Sequence, residues 1–190
     1  MTVSIKIKGN NSGGGPIAAR DNNITTYEVD GTPHESLYLR KLYELLKTEK
    51  DKGVVGCGTW SDESLEEYVT RDDVVIGLAG KLESGGISDQ LESAERAKER
   101  YWKKLQKHQL SDTAQKVHVY LLSAIESKFH AVFTPKVDKM ADHEKLHFVK
   151  IHVIDPIKNE LGLNDLDFTD RDLDGMLYFL TGKCLLKWSK

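Results

Sequence analysis

Cysteine is almost absent from this sequence: Cys57 and Cys184 are the two it has in 190 residues. Two thiols build no disulfide framework, and such usage fits a reducing cytosol. Long apolar runs are missing as well. Nothing approaches the roughly 20 apolar residues that a membrane span needs. The stretch Met1 to Lys8 alternates and is too polar for the apolar core of a signal peptide. The chain is therefore expected to be soluble and cytoplasmic, with no membrane partner. An excess of one charge is also lacking: 27 basic and 30 acidic residues leave a net charge of -3, which implies no overall affinity for polyanions. The Gly/Asn/Ser-rich connection from Gly9 to Asn23 holds no Gly-x-x-x-x-Gly-Lys-Ser/Thr and no Gly-x-Gly-x-x-Gly, so it does not read as a phosphate loop. Internal repeats and low-complexity tracts are absent too.

What is present is helical periodicity, strongest from Ser111 onward. Ala114, Val117, Leu121, Ile125, Phe129 and Val132 form one apolar stripe, capped by Ser111 and stopped by Pro135. Leu146, Val149, Val153, Ile157 and Leu161 form a second, interrupted by Asp155-Pro156 as a kink or a fresh start. A third helix is predicted from Thr169 to Gly182, and Cys184, Leu186 and Trp188 then alternate as in an extended tail. Earlier in the chain, Val3, Ile5 and Ile7 and the segment Ile24 to Val29 predict a β-hairpin. Thr32-Pro33-His34-Glu35 reads as a helix start, Ser61 as the cap of a short helix, and Ser88 to Gln109 as a charged helix with i, i+4 pairs Glu92–Arg96 and Glu99–Lys103. The expected fold is mainly α: a helical bundle with a small N-terminal β-hairpin and a short extended C-terminal tail. The expected divisions are an N-terminal arm (1–31), a helical region (32–110) and a C-terminal helical interaction domain (111–190).

Candidate chemistry is thin. His143-Glu144-Lys145-Leu146-His147 is a literal HExxH. On a helix its histidines face one way and can hold zinc, with Glu144 as general base. Lys145 sets a charge inside the motif, and no third ligand stands at a recognised spacing, so the metallopeptidase is an alternative and no cofactor is expected. Asp170-x-Asp172-x-Asp174-Gly175 copies half of an EF-hand loop, but Thr181 stands where the bidentate glutamate belongs. These aspartates are expected to favour a helix N-terminus instead. Cys57 between glycines has no histidine partner nearby and reads as a small apolar turn residue. Arg100, Lys103, Lys104 and Lys107 beside Tyr101 and Trp102 are candidates for a nucleic-acid backbone, which makes a DNA-binding accessory protein the second alternative; a solvated face is the plainer meaning. Tyr178, Phe179, Leu186 and Trp188 are candidate interface residues.

Ile154-Asp155-Pro156-Ile157, the run from Gly175 to Cys184 and the closing Trp188 resemble the C-terminal domains of effector-side proteins in bacterial ABC-three-component systems, the group that includes Lamassu-type defence. The leader Ala19 to Thr25 is similar to leaders of other bacterial conflict proteins. The resemblance covers residues 111–190 well and the N-terminus loosely. It implies a non-enzymatic interaction module of an anti-phage or anti-plasmid complex. Its partners would be an SMC-like ABC ATPase and a second small subunit, with indirect DNA association and possible homo-oligomerisation. Residues 32–107 match no nuclease core, so no catalytic residues carry over.

Overall fold

The computed structural model of the chain describes residues 35–53, 60–70 and 76–189. The chain divides into Met1–Pro33, which lies outside the described residues, and His34–Lys190. Within the latter the elements are α1 (Leu37–Lys52), α2 (Glu63–Thr70), α3 (Gly77–Ser84), α4 (Leu91–Lys107), α5 (Asp112–Lys128), α6 (Asp142–Val149), α7 (Asp155–Glu160) and α8 (Asp170–Gly182). Short 3-10 turns precede α4 and α6.

The expected β element is corrected here. No strand occurs among the described residues, and the hairpin predicted between Val3 and Val29 falls outside them. The extended tail is corrected as well. Residues 183–189 form no strand and turn at 183–185, because α8 closes with a left-handed residue, Cys184, at φ 62°. There the Leu185 amide donates back to the Leu180 carbonyl (3.0 Å). That bond satisfies a carbonyl orphaned at the helix end and folds the tail over the bundle.

Local chemistry explains the other boundaries. The cap of α1 is Ser36, whose Oγ accepts from the Leu39 amide; the start expected at Thr32-Pro33 lies outside the described residues. Asp62 rather than Ser61 caps α2, accepting from the Ser64 and Leu65 amides. Ser61 is engaged elsewhere, donating to Asp112 and, through its amide, to Gln115. Ser111 caps α5 through the Ala114 amide. Two helical runs widen into π turns just before a proline: Phe129–Phe133 before Pro135, and Lys150–Ile154 before Pro156. Proline lacks the N–H that would continue the ladder, and the wider turn accommodates the missing bond. The first run ends there; the second passes through Asp155-Pro156 into α7.

From Met176 to Leu180 α8 is apolar all round, and Leu173, Met176, Leu177, Tyr178, Phe179 and Leu180 are all buried. A helix of that composition belongs at the centre of a bundle. α4 lies along it in the most extensive helix–helix contact of the fold, and α3 and α5 also pack on it, with α1 and α2 behind α5. The approach of α4 is set by Gly175. A Cβ there would come within 2.5 Å of the Ala97 carbonyl oxygen and 2.7 Å of Tyr101 Cβ. Trp188 closes the other end, fully buried edge-on to Phe129 and Phe133, with its indole N–H donating to Thr181 Oγ1 (3.2 Å). Behind it, Gly85 leaves room that a side chain would fill.

Gly175→Ala tests the close approach. In an open helix this change gains about 1 kcal/mol of propensity. Here overpacking should reverse the sign and cost about 1–3 kcal/mol in denaturant unfolding. A stabilised Gly175→Ala protein would mean that α4 and α8 do not meet as described.

Candidate functional site

A concavity of about 710 Å³ runs between α4, the α6–π–α7 run and α8. Its floor is apolar, from Ala97, Leu146, Val149, Ile154 and Leu177, and four cations stand around it: Arg96, Arg100, Lys150 and Arg171. Arg96 is paired with Glu92 at 2.8 Å on the exposed face of α4. Lys150 has only long pairs, 3.6–3.9 Å, to Asp155, Asp170 and Asp174. Arg171 is exposed and has no ion-pair partner among the described residues. Asp174 is the acid inside the groove. Burial holds its carboxyl above the ordinary value although Lys150 opposes the shift. The neighbouring Tyr178 phenol is pushed up to about 12, by burial first and then by Asp174 and Asp89. The cationic rim and apolar floor suit an acidic, partly apolar ligand better than a neutral one, with the Asp174 carboxyl opposing them.

Arg100 and Lys104 are held in place by Asp172, which is 2 % exposed and lies 3.3 Å and 3.0 Å from them. The same carboxylate accepts from the Thr169 amide and hydroxyl (2.8 Å each) and so caps α8. Burial disfavours its charge, yet the Thr169 and Lys104 bonds outweigh this and keep its carboxyl below the ordinary value. Asp170 is bound outward by Lys158 at 2.8 Å. Asp170 and Asp172 thus serve opposite sides of one helix start, and Gly175 serves close packing.

The candidate residues of the sequence fall in different places. In the HExxH run, His143 and His147 are exposed. Glu144 accepts from the Ala141 amide at the start of α6 (3.2 Å). Lys145 is the buried member, donating to the Gly85 carbonyl (2.6 Å) and paired with Asp142 (2.7 Å). Among the described residues no three His, Cys, Asp or Glu side chains are grouped to hold a metal. Of the basic run, Arg100 and Lys104 turn to Asp172, Lys103 pairs with Glu99 (2.7 Å), and Lys107 is exposed. Tyr178, Phe179, Leu186 and Trp188 are all buried in the chain's own core. Cys57 lies outside the described residues.

Sequence patterning passed over a buried polar chain. Tyr101 Oη lies 3.1 Å from His118 Nδ1, and His118 Nε2 lies 2.8 Å from His108 Nδ1. Phe168 closes edge-on against His118. Burial is the main reason that His118 falls well below 6.5 and His108 to about 4, with Lys104, Lys50 and Lys107 adding to the shift at His108. The signal was a histidine inside the α5 stripe and a Tyr101–His108 spacing of two helical turns.

Residues 77–188 match the family model described as C-terminal domain 9 of the ABC-three component (ABC-3C) systems. The groove lies wholly within them. The chain belongs to this family, and is thus a component of a multi-component system that implies partners. No curated protein and no solved structure matches the chain. Among the described residues no helix is long and apolar enough to cross a membrane.

The imidazole pair gives a pH prediction. Unfolded, both rings titrate near 6.5, whereas folded His108 titrates at about 4. Between those values the unfolded chain binds more protons, so stability falls as pH drops from about 6.5 toward about 4. The loss from Asp172 comes later, below the ordinary carboxylate value of 3.8. Urea unfolding across this range should show the slope, and His108→Gln with His118→Gln should flatten it. An unchanged profile would contradict a neutral buried pair.

Proposed function

We propose that this chain is a non-enzymatic docking module of a Lamassu-type anti-phage or anti-plasmid complex, seated on an SMC-like ABC ATPase. A second small subunit would complete the complex, and any association with DNA would run through the ATPase. The observation that carries this is the groove of α4, α6–α7 and α8, whose lining falls entirely within the family-matched residues 77–188. Its occupant would be an acidic segment of the ATPase subunit. Carboxylates of that segment would meet Arg96, Lys150 and Arg171 on the rim, while an apolar side chain would enter over Leu146, Val149 and Leu177. Charge complementarity of this kind favours encounter and register, and the apolar floor supplies the anchor. With Tyr178, Phe179, Leu186 and Trp188 buried, Tyr178 would form part of the groove wall and the other three would support the core behind it.

The test is co-purification with the SMC-like ABC ATPase proposed as its partner. Arg96→Glu combined with Arg171→Glu should lower recovery about tenfold or more, while thermal melting stays within a degree or two because both side chains are exposed. Lys103→Glu, on the same helix but outside the groove lining, should co-purify like the parent. Equal recovery of all three would remove the groove from the interface.

A further inference from the structure

We infer that a second cavity, at the C-terminal end of α4, binds a small amphipathic carboxylate, with its head on His108 and its apolar body against Leu46, Leu110 and Leu166. This site is separate from the docking groove and independent of it. The cavity is about 430 Å³ and is lined from four sides: by Leu46 and Lys50 of α1, by Lys107, His108 and Leu110 at the end of α4, by Ala114 of α5, and by Leu166 of the segment before α8.

The chemistry follows from the hydrogen bonds behind it. Tyr101 is fully buried, and His118 Nδ1 is the hydrogen-bond partner of its hydroxyl among the described residues. A buried O–H pointing into apolar surroundings is costly, so the phenol donates and His118 Nδ1 accepts. A neutral His118 then carries its proton on Nε2 and donates it to His108 Nδ1. Neutral His108 must therefore carry its own proton on Nε2, the ring nitrogen with no partner among the described residues. The chain of three residues fixes a tautomer, and that tautomer presents an N–H donor at the cavity wall.

The surrounding charge selects the ligand. Lys50, Lys107 and Lys104 all act on His108, and Asp172 is the acid that acts against them. Lys104 is already paired with Asp172, which leaves Lys50 and Lys107 for a ligand. Glu49 also lines the cavity but is engaged by the hydroxyls of Ser111 and Thr113. Asp165 and Asp167 are exposed on its outer side. Room for an anion is therefore confined to the side of Lys50, Lys107 and the His108 N–H, where a single carboxylate fits and a dianion would meet the carboxylates opposite. Leu46 and Leu166 are already buried, and Leu110, half exposed at the mouth, is the apolar surface that gains by covering with methylenes.

The test is nitrogen-15 NMR of the full chain at neutral pH with hexanoate, acetate and inorganic phosphate as probes. Two-bond ring correlations should show both His108 and His118 neutral and protonated on Nε2. Hexanoate should shift the His108 Nε2 signal saturably at about millimolar concentration, with acetate weaker by about tenfold or more. Lys50→Gln with Lys107→Gln should weaken hexanoate by about tenfold while leaving both tautomers unchanged. Tyr101→Phe should release the tautomer of His118 and, with it, that of His108. A His108 proton on Nδ1, a hexanoate response unaltered by the lysine changes, tighter binding of phosphate than of hexanoate, or no saturable shift would each overturn the assignment.

Discussion

The fold turns on one buried carboxylate. Asp172 caps α8 through Thr169 and, from the same two oxygens, holds Lys104 and Arg100 of α4. An acid this deeply buried is tolerated only when its lone pairs are filled, and here backbone, hydroxyl, ammonium and guanidinium fill them. The result is a fixed register between the two most extensively packed helices. Gly175, one turn further along α8, then admits the α4 backbone at a distance that any side chain would prevent. The carboxylate sets the register of α4 and the glycine sets its depth.

Both sites descend from that register. On one flank of α4, Arg96 and Arg100 reach the groove beside Asp174 and Lys150. On the other, Tyr101 and His108 meet His118 of α5. Lys104 lies between, bonded to Asp172 and set 4.7 Å over the Phe168 ring, which in turn closes on His118. A sliding of α4 by one turn would separate Arg100 from Asp172 and Tyr101 from His118 together. The histidines can remain neutral because the same packing keeps water from them.

Helix existence was legible wherever an apolar stripe ran beside a cap. Ser111 and the stripe from Ala114 to Phe129 are one instance, and the run from Thr169 to Gly182 is another. The prolines were legible as interruptions but not as π turns, since a widened turn depends on what the run packs against afterwards. The tail misled because Leu186 and Trp188 alternate like a strand, while the burial they share comes from a left-handed Cys184. Of the sites, the basic run on α4 was visible, but its fate was not. Two of its cations belong to Asp172, more than 60 positions away. The rim of the groove draws Arg96, Lys150 and Arg171 from three separate helical runs, and no linear pattern links them. In HExxH the buried member is the charged one, Lys145, whose ammonium lies against the Gly85 carbonyl.

Urea unfolding of Asp172→Asn beside Asp170→Asn tests the dependence on the buried carboxylate most directly. Both substitutions remove one charge from the first turn of α8, so a helix-dipole effect alone would cost the two proteins about the same. Asp170 is 45 % exposed on its ion pair with Lys158 and should lose about 0.5 kcal/mol. Asp172→Asn should lose about 2–3 kcal/mol, because it takes charge-assisted bonds from Lys104 and Arg100 in a buried setting. Equal losses in the two proteins would contradict the central place given to Asp172.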